Sequence, residues 1–130
     1  MEKPIYTIDG AHFANFEEFV AEINNTLLVG SYWRGGLDAF DDMLWGGYGT
    51  PDEDVDFKVI WKNFQKSKIS LGYEATAKWL NSIVDRAHPT NVPSIRVRID
   101  QANNKSGMQL WMMIVDILTG HKNIELILEP

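Results

Sequence analysis

Three short apolar runs, Ile5 to Ile8, Phe57 to Trp61 and Ile124 to Leu128, are strand-sized and lie dozens of residues apart. Tight hairpins cannot join runs so separated, and the stretches between them carry helical periodicity. Strand, helices, strand, helices, strand is therefore the expected order. With right-handed crossovers this gives an α/β fold, a small three-stranded, largely parallel sheet packed with helices. The 130 residues suffice for one core and not for two ordinary ones, so a single domain over 1–130 is expected.

Local signals place the elements. Ile5 to Ile8 alternates apolar and polar ahead of Asp9-Gly10, which reads as a strand closed by a tight turn. Asn15 is a good N-cap for a helix carrying Phe16, Phe19, Val20, Ile23 and Leu27, with Glu17 and Glu18 in its first turn. Gly30 and Gly35-Gly36 bracket Ser31-Tyr32-Trp33-Arg34 as a loop leading into a second helix near Leu37. That helix puts Leu37, Phe40, Met43 and Leu44 on one arc and Asp38, Asp41, Asp42 and Trp45 on the other. Gly46 to Pro51 must end it, and Asp52 to Asp56 is too charged to be anything but an exposed loop.

Phe57 to Trp61 reads as a buried strand, followed by a short helix. Tyr73 to Ala87 is a helix with Trp79, Leu80, Ile83 and Val84 facing inward, and His88 to Pro93 is a rigid connector. Ser94 to Asp100 fits a strand by alternation and a helix by context. Gly107 to Thr119 is apolar on nearly every side, as expected of a largely covered helix, with Gly120 placed to terminate it.

The charge balance narrows the function. Hydrophobic residues at 45% and charged residues at 23% exclude a disordered chain. Eighteen acids against 12 bases give a net charge of -6, which disfavours direct nucleic-acid binding and suits a basic protein partner. The absence of cysteine fits a reducing compartment. No basic leader precedes an apolar run and Leu110 to Leu118 is short and holds Asp116, so a cytoplasmic protein that does not insert into membranes is expected.

Catalytic readings fail in turn. Asp52 to Asp56 resembles the start of a calcium loop, but Phe57 stands where the turn glycine belongs and Asn63 where the bidentate glutamate belongs. The acids around Asp52 as a metal site in a small enzyme remain the weakest rival. Gly46-Gly47-Tyr48-Gly49 ends a helix instead of following a strand, unlike a phosphate cradle. His12, His88 and His121 are scattered, with no metal-ligand spacing. No catalytic residue, cofactor or metal is expected.

The acidic helix is the most informative feature. Asp38, Asp41 and Asp42 stand at i, i+3 and i+4, a spacing at which like charges cost a helix a few tenths of a kcal/mol per pair. A solvated face explains them as well as a cationic partner does. Opposed charges gain about 1 kcal/mol in water and several times that once water is excluded. Tyr32 and Trp33, at the mouth of this helix, suit a binding hot spot, although Trp33 also suits a cap on the core. Trp45 lies on the acidic arc. Asp116 is the lone charge of its apolar stretch and falls on an exposed strip beside Gln109 and Met112.

The run Tyr32-Trp33-Arg34-Gly35-Gly36-Leu37-Asp38-Ala39-Phe40-Asp41-Asp42-Met43-Leu44 resembles the inhibitory loop and helix of the barstar family. Trp61-Lys62-Asn63-Phe64-Gln65-Lys66-Ser67-Lys68 is similar to the family's segment leaving the middle strand, and Ile124 to Leu128 to its closing strand. Gly46 to Pro51, Leu71-Gly72 and His88 to Asn91 resemble the longer bacterial branch, and the segment 73–107 is longer than in short members. The resemblance implies a barstar-like fold and a monomeric intracellular inhibitor of a basic ribonuclease or related toxin. Tyr32, Asp38 and Asp42 match an aromatic and two acids of the binding face, and Asp116 an acid on the last helix. Asp42 would be the anchor, its carboxylate standing in for a substrate phosphate. Gly36 replaces a common asparagine and Asp41 a frequent tryptophan, so either the partner's surface differs there or the interaction is weaker. An immunity or regulatory module aimed at a non-ribonuclease protein is the alternative.

Overall fold

All three apolar runs become strands in the computed structural model, which describes residues 2–130: β1 (Ile5–Asp9), β2 (Phe57–Lys62) and β3 (Ile124–Leu128). The sheet order is β1-β2-β3 and both pairings are parallel. Between β1 and β2 run α1 (Phe16–Thr26) and α2 (Leu37–Met43). Between β2 and β3 run α3 (Phe64–Ser70), α4 (Tyr73–Val84), α5 (Val92–Asn103) and α6 (Leu110–Gly120).

Register explains the sidedness of the sheet. Tyr6, Val59 and Leu126 lie abreast, as do Ile8, Trp61 and Leu128, so these rows share one face. Ile5, Lys58 and Glu125, and Thr7, Ile60 and Ile127, take the other. Both crossovers step across the sheet in the same direction, and right-handed connections then lay every helix over one face. β2 was expected to be buried throughout; instead Phe57, Val59 and Trp61 are buried while Lys58 and Ile60 are only partly covered. On the open face Glu125 meets Lys3 at 3.4 Å and Lys58 at 3.6 Å, exposed pairs that contribute little stability.

The helical side holds an aromatic core. Phe19 stacks on Trp61 with centroids 5.7 Å apart, and Trp33 leans on Phe40 at 5.0 Å. The buried indole Nε1 of Trp61 donates to Ser67 Oγ at 2.9 Å, which satisfies its one polar atom. A smaller cluster, Leu80, Val84, Ile95 and Ile99, lies between α4 and α5, with Trp79 packed against both.

Several boundaries differ from expectation. Ser94 to Asp100 lies within α5, because Ile95, Ile99 and Ala102 at helical spacing are buried. α5 begins at Val92, inside the expected connector, and Pro93 is tolerated in the first turn, where no intrahelical N–H bond is lost. α4 ends at Val84, not Ala87, and closes with turns from Arg86 N–H to Ile83 O and Ala87 N–H to Val84 O. α6 starts at Leu110 instead of Gly107, whose left-handed φ of 78° belongs to the loop. Gly120 is the last helical residue and not the terminator; His121 turns extended after it. Among the described residues no helix is long and apolar enough to cross a membrane.

Asp9 opens the short turn Gly10–His12 after β1, accepting from Ala11 N–H at 2.9 Å and from Asn63 Nδ2 at 2.7 Å. The Asn63 side chain, then the Ala11 amide, hold its carboxyl below the usual carboxylate range. A folded value below the unfolded one adds stability at neutral pH that disappears as pH falls through the folded value. Asp9→Ala should therefore cost about 1 kcal/mol at pH 7. Urea titrations repeated at lower pH should show the gap to the unsubstituted protein narrowing below about pH 4.

Candidate protein-binding face

The acidic helix is aimed by the loop before it. Asn24 clasps the Trp33 backbone, accepting its N–H at 2.8 Å and donating to its C=O at 2.7 Å, and the indole Nε1 donates to Gly36 O at 2.8 Å. Gly35 has a φ of 107°, and a Cβ there would lie 3.0 Å from Phe16 Cε2, so the chain can turn into α2 only at a glycine. Gly36 follows as the N-cap in extended conformation, exposed and with open space around it.

Tyr32 and Trp33 have opposite fates. Trp33 is 2% exposed and belongs to the core, which removes it from the expected contact residues. Tyr32 is 84% exposed and sits at a φ of 56°, a conformation that costs a bulky residue about 1–3 kcal/mol and persists only where its surroundings impose it. Behind the loop, Thr50 Oγ1 donates to Leu27 O at 2.8 Å and accepts from Val29 N–H at 2.9 Å, and Ser31 Oγ bonds Tyr48 O. The segments on either side of α2 are thus tied to each other.

On α2 Leu37 is half-buried and Phe40 buried while Asp38, Asp41 and Asp42 are exposed, as the periodicity predicts. α2 ends at Met43, so buried Leu44 and exposed Trp45 lie in the turn after it and not on the helix. The arc from Asp41 to Asp42 spans about 100° of the helix. Asp41 accepts from His121 Nε2 at 2.6 Å, and Trp45, 61% exposed, lies 4.6 Å centroid to centroid from that imidazole. His121 is 3% exposed and its Nδ1 is buried without a partner among the described residues. Isolated in sequence beyond Gly120, it carried no signal that it would reach α2.

The acidic loop joins this ridge. Gly46, at a φ of 91°, packs so close that a Cβ would lie 2.6 Å from Asp52 O, and Trp45 shares a groove of about 460 Å³ with Asp54, Asp56, Gly120, Lys122 and Asn123. Asp38, Asp41, Asp42, Asp52, Glu53, Asp54 and Asp56, seven of the 18 acids, therefore gather around α2 and the loop that follows it. Among the described residues no three His, Asp or Glu side chains converge as a metal-binding cluster. Asp116 is exposed on α6, one turn before Gly120, and no hydrogen bond or ion pair among the described residues joins it to the α2 acids.

A three-stranded parallel sheet covered by helices, with a short acid-lined helix exposed at its surface, is the architecture these observations define. The sequence profile described as Barstar (barnase inhibitor) matches residues 4–104, and the chain belongs to the barstar family, whose members are inhibitors and not enzymes. The matched stretch takes in α4 and α5 and leaves α6, β3, Asp116 and His121 outside it. Compared with individual curated proteins, the sequence matches none.

Proposed function

We propose that this protein inhibits a basic ribonuclease by laying the exposed acids of α2 into the cleft that binds RNA phosphates. The observation that carries the reading is the acidic arc of α2, held outward by a buried apolar arc and flanked by the Asp52 to Asp56 loop. Asp42 is the anchor, Asp38 and Tyr32 flank it, and Gly36 lets the partner's chain come close to the helix start. Asp116 contributes a second acidic point from α6. A pre-shaped, single-signed surface speeds encounter with a cationic cleft and aligns it before contact. The inhibitor acts as a monomer in the cytoplasm, consistent with a core that needs no disulfide.

Asp41 favours a partner surface of its own kind, since part of its carboxylate is already taken by His121. The same feature supports the second reading, a module of this fold directed at a protein other than a ribonuclease.

A titration of RNA cleavage by a barnase-type ribonuclease tests the proposal. Cleavage should fall to background at one inhibitor per enzyme, with an association rate that drops steeply as salt rises. Full cleavage at large inhibitor excess would overturn the ribonuclease assignment.

A further inference from the structure

On the flank of α2 away from His121, a groove of about 760 Å³ runs between α1, the aromatic loop and α4. Its apolar lining comes from Phe16, Val20, Met43, Trp79 and Ile83, which belong to three helices distant in sequence, α1, α2 and α4. The volume and lining match a site for a small molecule better than a flat protein contact.

The rim charge is opposite to that of the protein. Arg34, Lys78 and Arg86 border the groove against a single acid, Glu17, in a chain whose net charge is -6. Lys78 lies 3.9 Å from Glu17, with both side chains largely in solvent. Among the described residues neither Arg34 nor Arg86 has an acidic partner within 4.0 Å. Two unpaired guanidinium groups beside an apolar floor would hold a carboxylate or sulfonate by charge-assisted hydrogen bonds while the rest of the ligand displaces water from Trp79 and Phe16.

We infer that this groove is a binding site for a small amphiphilic anion, an apolar ring system or short alkyl chain bearing one acidic head. The site is separate from the acidic arc of α2, and it stands whether or not the chain inhibits a ribonuclease. A basic ribonuclease would be repelled by this cationic rim, so its contact would stop at Tyr32 and Gly36, which border both the groove and the proposed contact surface. Because Tyr32, Gly36 and Ala39 also border it, an occupant would touch the back of the loop that aims α2.

Fluorescence titration with anilinonaphthalene sulfonate tests the site. The full chain should bind one dye saturably, with energy transfer from tryptophan, and dodecanoate should displace it. The neutral analogue phenylnaphthylamine should bind about tenfold or more weaker, and the double variant R34Q/R86Q should lose a similar factor for the anionic dye. Ser82→Trp, placed on the exposed rim, should block the groove while near-ultraviolet circular dichroism and the urea midpoint confirm an intact fold. Equal affinity for neutral and anionic dyes, dye affinity unchanged in R34Q/R86Q, or uptake that never saturates would each overturn the assignment.

Discussion

Asp42→Ala is expected to weaken the complex with a basic ribonuclease more than any other single change on α2, by about 2–5 kcal/mol, or roughly 30-fold to several thousand-fold. A cleft built for phosphate would be left with positive charge and no counter-charge, and that desolvated remainder dominates the loss. Barnase with barstar is the standard case behind this range, so the magnitude is carried over from the family and not obtained from this chain. What this chain adds is the ranking. Asp42 is exposed and its side chain makes no hydrogen bond or ion pair among the described residues, so its carboxylate is free for a partner. Asp41 is already engaged by His121 and should matter less. Calorimetric titration at fixed ionic strength measures both variants, and the folding stability of Asp42→Ala should stay within about 0.5 kcal/mol. Equal affinities for the Asp42→Ala and unsubstituted proteins would remove Asp42 from the anchor role.

Trp33→Ala is expected to cost about 3–5 kcal/mol of folding stability, as other large-to-small changes of buried aromatics do. The ring packs on Phe16, Phe19 and Phe40, and its indole N–H holds Gly36 O, so truncation both opens a cavity and frees the start of α2. Trp33→Phe keeps most of the packing and loses only the hydrogen bond, and should cost about 1–2 kcal/mol. Urea denaturation gives both values. Binding by the folded fraction of Trp33→Phe should change by only a few-fold, because the ring is not on the surface. A stability loss below about 1 kcal/mol for Trp33→Ala, with a large drop in affinity, would return Trp33 to the contact face.

The strands, the two helices after β1 and the acidic arc were legible in the sequence because each depends on neighbours a few residues apart. Asn15 caps α1, as its side chain and position predict, and the period of Leu37 and Phe40 settles which side of α2 is buried. Ser94 to Asp100 was ambiguous because Ile95, Val97 and Ile99 alternate as well as they recur. The helix prevails because Ile95 and Ile99 meet Leu80 and Val84 of α4, while Val97 is left 55% exposed.

What the sequence determined by itself, then, was local periodicity and the sign of the charge on each helical face, since both follow from bond geometry over one or two turns. Tertiary structure alone decided between chemically similar neighbours and joined distant ones. Tyr32 and Trp33 are adjacent aromatics, and only the clasp by Asn24 and the turn at Gly35 send one into the core and the other into solvent. His121 reaches Asp41 across 80 positions, and the cationic groove draws on α1, the aromatic loop and α4 together. Such contacts arise from how crossovers stack helices on one face of the sheet, which no window of a few residues contains.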